Sequence, residues 1–63
     1  MNSYFFFTIC RIFDGFVART DYDDVSEAAE YYRRHIADDG VKHISLIGYG
    51  LNGVATILEQ HHV

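Results

Sequence analysis

Two dipeptides constrain the fold of this chain more than any other feature: Asp14-Gly15 and Asn52-Gly53. Each interrupts a stretch rich in aromatic and β-branched residues. The first separates Tyr4 to Phe13 from Phe16 to Thr20, and the second separates Ile44 to Leu51 from Val54 to Leu58. Asp-Gly and Asn-Gly supply the positive φ values that a type I′ turn requires at both central positions. Each pair of runs is therefore expected to fold back as a β-hairpin.

Between the hairpins, Val25, Ala28, Ala29, Tyr32 and Ile36 recur at the spacing of one apolar helix face. Asp24 is placed to cap that helix, with Glu27 three residues on to complete a capping box. Gly40 suits the left-handed position after the last turn, with Ile36 and Val41 as the apolar pair of a Schellman motif. The expected architecture is α+β: a single small domain over residues 1–63, in the order β-β-α-β-β. Its antiparallel sheet is built of two hairpins, at about residues 3–21 and 42–60, and one helix at about 24–38 lies across one face.

Pairing rules applied to two-residue turns make both sheet faces apolar. Phe5, Phe7, Ile9, Phe13 and Phe16 fall on one side of the first hairpin, and Tyr4, Phe6, Cys10, Ile12 and Val17 on the other. In the second, Ile44, Leu46, Gly48, Ala55 and Ile57 oppose Ile47, Tyr49, Leu51, Val54 and Leu58. A single helix covers one face only. The small residues Gly48, Gly50 and Ala55 suit its close approach. Ile47, Tyr49, Leu51 and Leu58 are thereby left as a candidate hydrophobic interface, open to another protein or to a second copy of this chain in a homodimer.

At 63 residues, 49% of them apolar, the chain can fold but builds only one small core, with stability of about 5 kcal/mol or less. A deep catalytic cleft is not expected, and no nucleophile-His-acid order, phosphate loop or paired-carboxylate pocket stands out. Cys10 is the only cysteine, which precludes an intrachain disulfide and the usual cysteine zinc sites; its apolar surroundings predict a buried free thiol. The loose group Glu59, His61 and His62 reads as a solvated chain end, so no metal and no cofactor are expected. The apolar run Tyr4 to Ile9 is too short to span a bilayer and lacks the features of a signal peptide, which points to the cytoplasm.

Charge placement carries the functional reading. The formal net charge is −4, and Asp21, Asp23, Asp24, Glu27 and Glu30 crowd the expected helix start with no Lys or Arg among them. Neither nucleic acid nor an anionic membrane favours such a surface, but a basic protein partner does. Asp and Glu also stabilise a helix N-terminus by satisfying free N–H groups, which accounts for part of the cluster. On the outer helix face Glu27, Glu30, Tyr31, Arg34 and Asp38 are expected to point to solvent, with Arg34 able to pair with Glu30 or Asp38. Asp21, Asp23, Asp24, Glu27, Glu30, Tyr31 and Asp38 are therefore the candidate partner-binding residues. No catalytic residue is assigned.

As a whole, a small acidic chain opening MNSYFFFTICRIFDGFVARTDYDDVSEAAEYYRR resembles the phage-encoded anti-CRISPR proteins, in particular those directed against type I-C systems. The resemblance implies a non-enzymatic inhibitor in the host bacterial cytoplasm. It would bind the Cascade surveillance complex and, as a DNA mimic, occupy a basic channel meant for target DNA. It transfers no residue roles. A hairpin followed by an amphipathic helix also resembles the β-β-α domain of HicB-type antitoxins, which implies the alternative of a regulatory module that neutralises a basic partner.

Overall fold

A computed structural model describes residues 4–63; Ser3, at the expected start of the first hairpin, lies outside the described residues. Strands β1 (Tyr4–Phe13) and β2 (Val17–Tyr22) precede helix α1 (Val25–His35), and strands β3 (Val41–Gly50) and β4 (Ala55–His62) follow it. The fold is the expected β-β-α-β-β. All pairings in the sheet are antiparallel, and its spatial order is β2-β1-β3-β4. The two hairpins thus join through β1 and β3, which become the central strands. Helix α1 packs on β1, β2 and β3 and does not reach β4.

Both hairpins form, but neither uses a type I′ turn, because among the described residues positive φ occurs only at glycine. In the first, Gly15 alone has positive φ (93°), and Phe13 N–H donates to the Phe16 carbonyl at 2.9 Å. Phe13 stands opposite Phe16 as expected, with the rings stacked at 4.5 Å. In the second, Gly53 N–H donates to the Gly50 carbonyl and Gly50 N–H to the Val54 carbonyl, both at 3.0 Å. That is a three-residue loop, Leu51 to Gly53, with Gly53 at φ 80° in the left-handed region.

The longer loop displaces the register by one residue near the turn, and a bulge around Leu58 restores it further along. Ala55 and Ile57 therefore lie opposite Tyr49 and Ile47 and share their face, rather than that of Ile44 and Leu46. Two further irregularities have similar effects. An extra residue at Phe5 lets Tyr4 pack against the core while Phe5 stays 62% exposed, the reverse of their expected sides. Another at Lys42 swings Val41 under the helix.

The core lies between α1 and one sheet face, where Phe7, Ile9, Val41, Ile44 and Leu46 close on Ala28 and Tyr32 of the helix. Gly48 belongs to this side and lies so close beneath the Tyr4 ring that a β-carbon there would come within 2.8 Å of it. Val25, assigned to the apolar helix face, is nearly half exposed. The helix also stops earlier than expected. Ile36 is its C-cap, and Val41 N–H closes a turn onto the Asp38 carbonyl at 3.3 Å with Gly40 at φ 86°, the sign pattern of a type II turn. Asp38 and Asp39 are poor residues for a helix C-terminus, where the backbone dipole repels carboxylates, and the turn takes them instead.

Burial raises the Tyr32 phenol above its ordinary value of 10.0, and the charge of Glu59 raises it further. The folded state thus holds this proton more tightly than the unfolded chain, so stability falls as pH rises from the ordinary value through the raised one. Urea unfolding at about pH 9 and about pH 11 should show a smaller alkaline loss in Tyr32→Phe than in the parent protein. Equal losses would remove Tyr32 as a cause.

Candidate functional site

The acidic segment begins on β2. Asp21 pairs with Thr8 across the β1–β2 ladder, and its carboxylate accepts a hydrogen bond from the Thr8 hydroxyl at 2.7 Å. Thr8 lies on the sheet face away from the helix, so Asp21 does too. It is separated from the other four acids of the cluster.

Asp23 is exposed in the bend between β2 and α1, and Asp24 is the N-cap. The Asp24 backbone is extended (φ −108°, ψ 127°), and its carboxylate accepts from Glu27 N–H at 3.3 Å. This is one half of the expected capping box. Glu27 projects from the first turn. Among the described residues, no salt bridge engages Asp23, Asp24 or Glu27. One turn on, Glu30 accepts from the Arg34 guanidinium at 2.7 Å, with both side chains about two-thirds exposed. Such a pair is worth a few tenths of a kcal/mol and opens readily to a competing charge.

Tyr31 and Asp38 were expected to face solvent; both are only partly exposed. The Tyr31 ring packs against Tyr22 at 5.6 Å and His35 at 4.1 Å. Together with Glu27, Glu30 and Arg34, these two tyrosines line an open hollow of about 190 Å³. Asp38 belongs to the other end of the helix, some 16 Å from the N-cap at the α-helical rise. Its carboxylate accepts from His35 Nδ1 at 2.5 Å and lies 3.9 Å from the Arg11 guanidinium. It is consumed by local partners.

Arg11 is the residue that sequence reasoning missed. Its guanidinium carbon lies 5.5 Å from the ring centres of both Phe13 and Tyr31. There it anchors the turn after α1 to the sheet through cation–π contacts and the Asp38 pair. The available signal was a lone Arg in the strand ICRIF, on the face that carries Phe7 and Ile9.

The candidate hydrophobic residues are partly regrouped. Ile47 and Tyr49 face away from the helix, with Tyr49 stacked on Phe6 at 4.6 Å and 10°. Leu51 is 70% exposed in the loop, and Leu58 is at the β4 bulge, so neither extends that surface as expected. Cys10 is half-buried on the same open face rather than enclosed in the core. A hollow of about 460 Å³ opens between the turn after α1 and the end of β4, lined in part by Ile36, Lys42, His61 and Val63. Among the described residues, no three His, Cys, Asp or Glu side chains form a metal-holding group, and no helix is long and apolar enough to cross a membrane. Comparison with protein-family models, with curated proteins and with solved structures finds no match for this chain.

Proposed function

We propose that this protein is a non-enzymatic inhibitor that presents the N-terminal end of α1 to a basic, nucleic-acid-gripping surface on a partner and competes with DNA for it. The observation that supports this reading is the trio Asp23, Asp24 and Glu27, exposed at one helix end with no ion pair among the described residues, with the easily opened Glu30–Arg34 pair beside it. Carboxylates on a rigid helix start imitate phosphates without the backbone charge of a duplex, and the like-signed field steers association. The resemblance to anti-CRISPR proteins supplies the partner: Cascade of a type I system, met in the bacterial cytoplasm.

Target-DNA binding by purified Cascade, followed by fluorescence anisotropy with and without this protein, tests the proposal. The expected result is weaker DNA binding, with a difference from the protein-free control at the same ionic strength that shrinks as salt is raised, since screening weakens the inhibitor's attraction as well as that of DNA. Unchanged DNA affinity at saturating protein overturns it. Inhibition confined to cleavage would place the block at nuclease recruitment instead.

A further inference from the structure

The sheet divides the polar residues that the sequence groups at a loose chain end. Glu59 and His61 stand opposite Leu46 and Ile44 and project on the helix side, whereas His62 stands opposite His43 and projects with it on the other face. The His43 and His62 rings are 5.6 Å apart between centres and tilted by 50°.

Backbone pairing dictates this approach. Val63 N–H donates to the Lys42 carbonyl at 3.0 Å, so Lys42 and Val63 form a hydrogen-bonded pair, and His43 and His62, one step inward, form a non-hydrogen-bonded one. In such pairs the α-carbons come within about 4.5 Å and the side chains are at their closest. His43 is half-buried on a central strand, and His62 is exposed on an edge strand, so the pair is held by regular backbone and still open to solvent. The same row continues across the sheet through Ile12 to Val17, which puts no positive side chain in it to repel a cation. Two imidazoles that share one metal at about 2.0–2.1 Å, with an angle of roughly 90–110° between the bonds, have ring centres about 4.5–5.2 Å apart. The observed 5.6 Å is about 0.4 Å wider, a gap that small side-chain rotations close.

We propose that His43 and His62 together bind a transition-metal dication such as Zn²⁺ or Ni²⁺, with water in the remaining coordination positions. Imidazole nitrogen suits these ions, whereas Mg²⁺ and Ca²⁺ take oxygen ligands. The ion would act as a clip. Strand β4 is exposed along its whole length and α1 does not pack on it, so a metal shared with β3 fastens an edge that little else holds. The site is independent of the acidic helix start and of any partner bound there.

Calorimetric titration of the whole chain with Zn²⁺ up to about 1 mM should show saturable binding of one ion per chain. His43→Gln and His62→Gln should each weaken it at least about tenfold with an unchanged circular dichroism spectrum. His61→Gln on the helix side and Cys10→Ser one row away should stay within about twofold of the parent. Ni²⁺ should broaden the imidazole resonances of His43 and His62 before that of His35. Zn²⁺ should also slow amide hydrogen exchange in β4, and this protection should vanish in His62→Gln, since a ligand that binds only the docked strand stabilises it. A folded protein that binds no Zn²⁺ overturns the proposal. So does binding that survives His43→Gln but falls with His61→Gln, which would place the ion on neighbouring residues of β4 alone. One ion per two chains would make the site intermolecular, and displacement of Zn²⁺ by Mg²⁺ would move it to carboxylates; either result also overturns the proposal.

Discussion

Ile44→Ala is expected to leave much of the protein unfolded at room temperature. Ile44 and Ile9 are fully buried, neighbours on the helix-covered face of the two central strands, and they form the centre of a core with seven buried apolar residues among the described residues. Truncating such a side chain costs about 2–5 kcal/mol through lost transfer energy and the cavity left behind. A single domain of this size has about 5 kcal/mol in total, so one substitution consumes most of it. Ile57→Ala provides the comparison. It removes the same atoms from a side chain that is 56% exposed and should cost well under about 1 kcal/mol. Urea titrations of the three proteins read this directly. Similar midpoints for Ile44→Ala and Ile57→Ala would mean that the core is not where the buried residues place it.

The parts of the fold that were legible in the sequence are those with a local physical signature. Asp-Gly and Asn-Gly mark reversals because glycine takes a backbone conformation that other residues avoid, and both reversals are present at Gly15 and Gly53. The helix is legible from its period and its cap, and Asp24 does cap it. Turn type was not legible, because Asn-Gly also serves a three-residue loop with glycine at its last position. That one-residue difference moved Ala55 and Ile57 to the opposite face.

The bulges at Phe5, Lys42 and Leu58 were equally hidden, since an extra residue in a ladder is dictated by what packs around it and not by its own side chain. The acidic cluster shows the same boundary between local and non-local information. Five neighbouring carboxylates read as one patch, yet the strand alternation that takes Asp21 to Thr8 depends on where β1 lies. Asp38 was placed on an outer helix face because the helix was drawn three residues too long. Once the helix stops at His35, the following turn carries Asp38 back to His35 and Arg11.

Charge reversal at the helix start is expected to abolish inhibition while the fold survives. The structure narrows the set to Asp23, Glu27 and Glu30, each to Lys. Asp24 is kept because loss of the cap would cost about 1 kcal/mol and confound the reading. Asp21 is excluded because it faces the other side of the sheet. Lysines near a helix N-terminus oppose its dipole at about 0.3–1 kcal/mol each, and Lys at position 30 beside Arg34 adds a like-charge pair worth a few tenths. The combined cost of about 1–3 kcal/mol weakens a domain of about 5 kcal/mol and leaves it folded. Binding should respond far more strongly, since the three substitutions change the local charge by about six units and turn attraction into repulsion; a loss of at least a hundredfold in affinity is expected. Asp21→Lys should break the Thr8 hydrogen bond yet inhibit as well as the parent. A triple variant that keeps its circular dichroism spectrum and inhibits fully, or an Asp21→Lys variant that loses inhibition while folded, would move the binding surface from the helix start to the open sheet face.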